Sequence, residues 1–420
     1  VSLPSKNDYL LAPDIHFLNH GSFGACPRPV FAAYQRWQAE LERQPVEFLG
    51  RLATDRLAES RAALATCLGA AADDLVYFPN PTTAINMVAR NLARLSMAGD
   101  HEGSPLHLRP GDEILTTDHE YGAMDKTWRY ICNQIGVRYV QRPIPLPVTT
   151  RNDFVAHFWA GVTARTRIIF ISHITSPTAL TFPVAEICRR ARAVGILTII
   201  DGAHAPGQLP LNLTELGADI YTGACHKWLC APKGAAFLYA RPEMQTWLEP
   251  LVVTWGWEAE RPGPSRFVDW HEWQGTRDLA AYLAVPAAIE FQREHAWEAV
   301  RRRCHHLAIE TRRRIVALTG LPPICPESDD GRWTNDAATP PAANRATGWF
   351  AQFFAARLPE CNLDALQARL YEEQRVESPL IRWNDQPFIR VSFQAYNDEA
   401  DADALVHGLA RLLPEVTHEP

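Results

Sequence analysis

Residues 195–239 place an acid and an amine in a pattern that can do chemistry. A short apolar run, Ile196 to Ile200, stops at Asp201. A Pro/Gly-rich turn and a polar, helix-like segment follow. A second strand pattern at 219–222 leads to His226 and Lys227, and a third apolar strand covers 234–239. An acid at the end of one buried strand and a lysine just past the next can converge at one edge of a sheet. The lysine amine can form an imine with an aldehyde, and the carboxylate can keep a pyridine nitrogen protonated. A pyridoxal phosphate site needs both. The chain's basic residues are nearly all arginine, and its only lysines are Lys6, Lys126, Lys227 and Lys233. A guanidinium does not deprotonate at useful pH, so Lys227 stands out as an amine that can. Lys6 reads as a solvated tail residue and Lys126 as part of a helix.

Other residues carry two readings each. Thr82 and Thr83, in Asn80-Pro81-Thr82-Thr83 between a strand and a helix, offer free amides and hydroxyls to a phosphate, or simply cap the helix. Tyr121, just past another strand, is either a ring that stacks on a pyridine or an ordinary half-buried tyrosine. His204 is either a contact of the cofactor's phenolic oxygen or ring, or a structural turn residue. His226 can reach a phosphate. Trp228, Trp255 and Trp257 read as packing. Arg390, in an alternating strand, is either a bidentate partner for a carboxylate or a surface arginine.

Elements must bring these residues together. At 420 residues, two domains are expected. The content, 47% hydrophobic and 21% charged, is that of a soluble globular enzyme, and a formal charge of −7 argues against nucleic acid or anionic membrane as a partner. No apolar run is long enough to span a bilayer. The first residues show neither a charged n-region nor a long apolar h-region, and the chain starts with Val. A cytoplasmic enzyme is expected, with an exported mature form as the alternative. Nine cysteines without a CxxC pair suit a reduced setting and suggest no zinc site. Short apolar strands at 75–78, 113–116, 137–141, 166–172, 196–200, 219–222 and 234–239 alternate with helices, including 29–42, 52–68, 155–162 and 185–194. This is the α/β pattern of a mainly parallel sheet covered on both faces. After Gln274-Gly275-Thr276 the pattern changes to long helices at 280–295 and 297–319, a Pro/Asn-rich loop at 322–348, and strands at 349–354, 375–377 and 388–394. The expected division is a large domain, 17–279, and a smaller α+β domain formed by 280–420 with the arm 1–16.

The motifs FLNHGSFGACPRP, TTDHEYGAM, FISHITSPTAL, DGAHAPGQ, YTGACHKWLCAPKGAAFL, QGTRD and IRVSFQAYN run in order through most of the chain. Together they resemble the fold-type-I pyridoxal phosphate enzymes of the class V aminotransferase group, in particular its isopenicillin N epimerase-like branch. The resemblance implies a seven-stranded, mainly parallel sheet in the large domain. It implies Lys227 as the Schiff-base lysine, Asp201 on the pyridine nitrogen, His204 at the ring or O3′, and Tyr121 stacked on the ring. Ser176 would lie near O3′. Thr82, the Thr83 amide and His226 would hold the phosphate, with Thr276 reaching it from the neighbouring subunit of a homodimer. Arg390, with Asn19 nearby, would hold the substrate α-carboxylate. Two positions depart from the group. Ala224 replaces a common Ser or Asn, so one hydrogen bond to the phosphate is either missing or supplied by Thr222. The stretch 374–380 lacks the nucleophilic cysteine of cysteine desulfurases.

The implied chemistry is formation of an external aldimine with an amino acid or amino-acid-capped peptide, then a carbanion at Cα. Its fate stays open between epimerisation, C–S elimination from a cysteine conjugate or sulfoxide, and transamination in siderophore or secondary metabolism. A silent scaffold that only binds pyridoxal phosphate is the reading of another class.

Overall fold

The computed structural model describes residues 3–97, 108–327 and 348–417. The expected loop at 98–111 lies partly, and that at 322–348 mostly, outside the described residues. In chain order, β1 (His16–Phe17) belongs to the N-terminal arm. Strands β2 (Leu75–Phe78), β3 (Glu113–Thr117), β4 (Arg138–Arg142), β5 (Thr166–Ser172), β6 (Leu197–Asp201), β7 (Ile220–Ala224) and β8 (Ala236–Ala240) build one sheet. Strands β9 (Phe353–Arg357), β10 (Val376–Glu377), β11 (Leu380–Trp383) and β12 (Gln386–Ser392) follow. The large sheet has seven strands in the order β2-β8-β7-β6-β5-β3-β4. Only β8 runs against the others, pairing antiparallel with both β7 and β2.

The strands are apolar on both faces because helices cover both. In β5, Ile168 and Phe170 enter the core shared with Val88, Trp128 and Leu238, whereas Ile169 and Ile171 enter the opposite core with Leu115 and Tyr221. Successive side chains of a strand point to opposite faces, so one run serves two cores. The helix Pro81–Met97 buries Ile85, Val88 and Leu92, the spacing of one helical face.

Register sets the site. Ser172 lies opposite Asp201, and Asp201 opposite Thr222, so three adjacent strands end at one level. The loops after β2, β3, β5, β6 and β7 all open at this edge, where open α/β sheets bind their ligands.

The C-terminal part is a three-stranded antiparallel sheet, β11-β12-β9, packed with the helices Trp297–Thr319, Leu363–Gln374 and Glu399–Val416. Asp398 caps the last helix, its side chain accepting from the amides of Ala400 and Asp401. The arm joins this part through the parallel pairing of β1 with β10. Lys6 is not a free tail residue: Nζ donates to the carbonyls of Pro13 and Ile15 at 2.9 and 2.8 Å. Lys126 is an exposed residue of the helix Gly122–Ile135.

Several boundaries differ from the expectation. The helix expected at 155–162 spans Arg151–Trp159, because the Thr150 side chain accepts from the Asp153 amide and starts it earlier. The expected helix 280–295 divides into Ala280–Leu283 and Val285–Glu294, with Pro286 in the first turn of the second piece. The strand expected at 349–354 forms at Phe353–Arg357. Trp349 instead docks on the large sheet's side: its indole donates to Thr149 O, and its carbonyl accepts from Thr181 N. Strand β11, too short and half-buried to show a pattern, was not expected. Among the described residues, no helix is long and apolar enough to cross a membrane.

Candidate active site

The loop after β7 shapes the lysine. The amides of Cys225 and His226 both donate to Ala235 O, and Cys230 N donates back to Lys227 O at 3.0 Å. His20, fully buried just after the arm, bonds the same Lys227 carbonyl through Nε2 at 3.0 Å and Tyr396 Oη through Nδ1 at 3.0 Å. Gly24 makes this docking possible. Its φ is +70°, and a Cβ there would lie 2.0 Å from His226 O. Lys233 Nζ donates to Gly24 O at 3.0 Å and closes the contact from the other side.

Lys227 faces a cavity also lined by Ser22, Asn80, Thr82, Tyr121, Ser172, Ser176, Asp201, His204 and His226. Its Nζ lies 3.1 Å from His204 Nε2. Burial, and then the positive charge of Arg390, bring its pKa down to about 8, while Asp201 opposes the fall. Asp201 is buried, and Oδ1 accepts from Ala203 N at 2.9 Å. Burial pushes its carboxyl above the ordinary range, against the Ala203 amide and Lys227. A cationic ring nitrogen is the kind of partner that would reverse this.

Six of the eleven residues singled out from the sequence, Thr82, Tyr121, Ser176, Asp201, His204 and His226, therefore meet Lys227 in one cavity. The others stand differently. Thr83 turns inward: its amide and hydroxyl both donate to Asn80 Oδ1, at 2.8 and 3.0 Å. Asn80, not a threonine, caps the helix. Thr222 is buried with its hydroxyl donating to Phe237 O at 2.7 Å, so it does not fill the place left by Ala224. Thr276 is exposed and does not line this cavity.

Arg390 stands behind the rim. Nη1 donates to Ser176 O at 2.6 Å and Nη2 to Ser22 Oγ at 3.0 Å. Its buried Nε has no hydrogen-bond partner among the described residues. Asn19 acts one step removed: Oδ1 accepts from Ser22 Oγ at 2.5 Å, and Nδ2 donates to Glu377 Oε1 at 2.9 Å. His226 bonds Ala235 O through Nδ1, and burial holds its pKa at about 4. An anion beside its other nitrogen would offset that burial.

Three residues of the site gave no sequence signal. Ser22 connects Asn19 to Arg390. Ser172 and Glu120 form a buried pair: Glu120 Oε2 accepts from Ser172 N and Oγ, at 2.9 and 2.6 Å, and Oε1 from Thr117 Oγ1 at 2.6 Å. Glu120 lies in the DHEYGAM motif, but which of its side chains turns inward depends on the loop path. A separate surface depression, lined by Pro147, Thr149, Arg151 and Pro322, shares no residue with this cavity.

The described residues contain no group of three or more His, Cys, Asp or Glu able to hold a metal ion. The donor set suits an aromatic aldehyde with a basic ring nitrogen instead, with an amine for the aldehyde and a buried carboxylate for the nitrogen.

Comparison with known proteins agrees with the fold. The aminotransferase class-V family model matches residues 27–332, and the chain belongs to that family. It is 34% identical to isopenicillin N epimerase of Amycolatopsis lactamdurans, over 97% of this chain and 98% of that protein. It is 27% identical to a probable chloroplastic L-cysteine desulfhydrase of Arabidopsis thaliana, over 95% of this chain and 84% of that one. A solved structure of a C-DES mutant with glycine covalently linked to the PLP cofactor superposes with a TM-score of 0.76, at 21% identity, over 97% of this chain and 99% of that one. The protein is a pyridoxal-phosphate-dependent enzyme of the fold-type-I, class V type.

Proposed function

We propose that this enzyme acts at Cα of an amino acid or amino-acid-capped peptide, removing and returning the α-proton as an isopenicillin N epimerase-like catalyst. The supporting observation is the pairing of handles. An amine poised near neutrality, Lys227, shares a cavity with two serines that hold an Arg390 guanidinium whose Nε still has a free donor. An amine to be exchanged and a carboxylate to be clamped are the two ends of an α-amino acid.

In this reading the bound cofactor supplies electron withdrawal from Cα. Lys227 holds the cofactor and moves the α-proton. Asp201 keeps the ring nitrogen protonated, Tyr121 covers the ring, and His204 and Ser176 contact its oxygen. Thr82 and His226 bind the phosphate, with the Thr83 amide reaching it only by leaving Asn80. Arg390 binds the substrate carboxylate, and Asn19 holds Ser22 against it. Thr276 is assigned to the phosphate of a neighbouring copy in a homodimer. All nine cysteines are thiols rather than disulfides, which supports a cytoplasmic setting.

C–S elimination is the second reading, favoured by the likeness to the Arabidopsis desulfhydrase. No cysteine is among the residues lining the cavity, which argues against a persulfide formed on the protein. Incubation with L-amino acids and S-substituted cysteines in D₂O separates the fates. Deuterium at Cα with inverted configuration is expected. Pyruvate with released sulfur would select elimination, and a lasting pyridoxamine form transamination. A silent scaffold predicts no spectral change with any amino acid. Arg390→Ala is expected to lower kcat/KM roughly 10- to 100-fold, the loss of one or two charge-assisted hydrogen bonds. Lys227→Ala is expected to lose the visible imine band, and its persistence would overturn the lysine assignment.

A further inference from the structure

Trp228 reads from the sequence as packing, but its side chain makes a polar contact. Its indole Nε1 donates to His204 Nδ1 at 3.2 Å, and the residue is fully buried. On the other side of the same imidazole, Nε2 lies 3.1 Å from Lys227 Nζ. Phe353 stacks on the ring at 5.0 Å and 22° and keeps it in plane.

The three groups admit one arrangement of protons. An indole N–H can only donate, so Nδ1 must offer its lone pair. A neutral imidazole then carries its single proton on Nε2. An imidazolium would set a second N–H against the indole N–H. The Nε2–H points at Lys227, where an ammonium would place hydrogen against hydrogen. The approach becomes a hydrogen bond only when the lysine is a free amine.

We propose that Trp228 is a positioning residue that locks the His204 tautomer, so that Nε2–H faces Lys227 and favours its unprotonated form. The inference rests on Lys227 being the cofactor lysine. It gives the residue after the lysine a task in setting the protonation of the amine that must attack an aldehyde. The same tautomer presents a donor to any cofactor oxygen that takes the place of the amine. The charged and titratable groups around the pair are Asp201, Arg390, His226 and His20. Arg390 disfavours a cation at either site and Asp201 favours one on the lysine, but neither selects between the two neutral tautomers.

The test has two parts. In ¹⁵N spectra of the full-length, histidine-labelled chain, with His204 assigned by its loss in His204→Gln, the Nε2–H neutral tautomer is expected from pH 6 to 9. An Nδ1–H tautomer or an imidazolium there overturns the proposal without needing a variant at Trp228. In Trp228→Phe the indole donor is gone, and Nε2 is free to accept from a lysine ammonium. The apparent pKa for trapping the Lys227 amine by added pyridoxal phosphate, followed by the visible band, is expected to rise by about one unit, the worth of one hydrogen bond. An unshifted profile in a folded Trp228→Phe protein also overturns it. If instead Lys227→Ala kept the band, the lysine assignment would fail while the ¹⁵N result still stood.

Discussion

At the scale of single residues, the informative groups are those the strand ends force together out of water. Glu120 is the sharpest case. Burial raises its pKa from an ordinary 4.5 to about 7, against the pull of the Ser172 and Thr117 hydrogen bonds, with the nearby Asp201 adding to the rise. Between those two values the folded chain holds a proton that the unfolded chain has lost. The stabilisation is thus full below pH 4.5 and fades as pH climbs through 7, a difference of about 3 kcal/mol. A glutamine can keep both hydrogen bonds, its carbonyl accepting from Ser172 and its amide donating to Thr117. Glu120→Gln is therefore expected to remove this decline. Urea unfolding of both proteins at pH 5, 6, 7 and 8 measures it, and parallel profiles would refute the buried proton. None of this was legible from the motif, where Tyr121 was the residue singled out. In the fold His119 is buried on Thr178 and Ile144 O, a structural role. Residue type drew attention to Lys227 and Asp201, because an amine and an acid at strand ends are rare enough to be noticed, and left Arg390, inside a strand, open between a carboxylate partner and a surface arginine. It was silent on Ser22 and Ser172, whose worth lies in what they touch.

At the scale of elements, strands of the large sheet could be read because both faces are buried and the apolar runs are continuous. In the C-terminal part β10 and β12 were read, but β11 was missed and β9 misplaced, since β11 is half exposed and Trp349 and Phe350 are apolar yet serve a loop docked on Thr149 and Thr181. The 17–30 loop that follows the arm was legible as a loop and, through Asn19, as part of the site, but its contact with the lysine loop was not. Its fit against the lysine loop depends on Gly24, where φ is positive and a side chain would strike His226 O. Gly24→Ala adds a left-handed strain and a backbone collision, together about 1–3 kcal/mol. The expected result is a lower midpoint of unfolding together with weaker retention of pyridoxal phosphate, since the displaced loop carries Lys227. Thermal denaturation and cofactor titration measure the two effects. A variant that loses stability but keeps its cofactor affinity would show that the segment around Gly24 does not set the lysine.

At the scale of the whole molecule, large apolar side chains are left exposed in one chain. Phe23 is 71% exposed, Val253 67% and Trp255 87%. Thr276 lies on the exposed turn after Gly275, outside the cavity of its own chain. A second copy covering these residues and lending Thr276 to the neighbouring phosphate accounts for both facts. The expected mass in solution is twice the 47.1 kDa of the chain. Mass alone does not show shared sites, but hybrid dimers do. Thr276→Ala is expected to weaken cofactor binding about 10-fold, the loss of one hydrogen bond to a charged group, and Lys227→Ala to abolish the imine. If Thr276 crosses the interface, a hybrid of the two variants contains one intact site, formed by the Lys227 of one chain and the Thr276 of the other. Tight imine formation then returns at up to one site per hybrid. If Thr276 serves its own chain, every site in the hybrid carries one lesion and nothing returns. Titrating pyridoxal phosphate into hybrids purified by two different affinity tags distinguishes the outcomes, and no recovery in a stable hybrid dimer would remove Thr276 from the site.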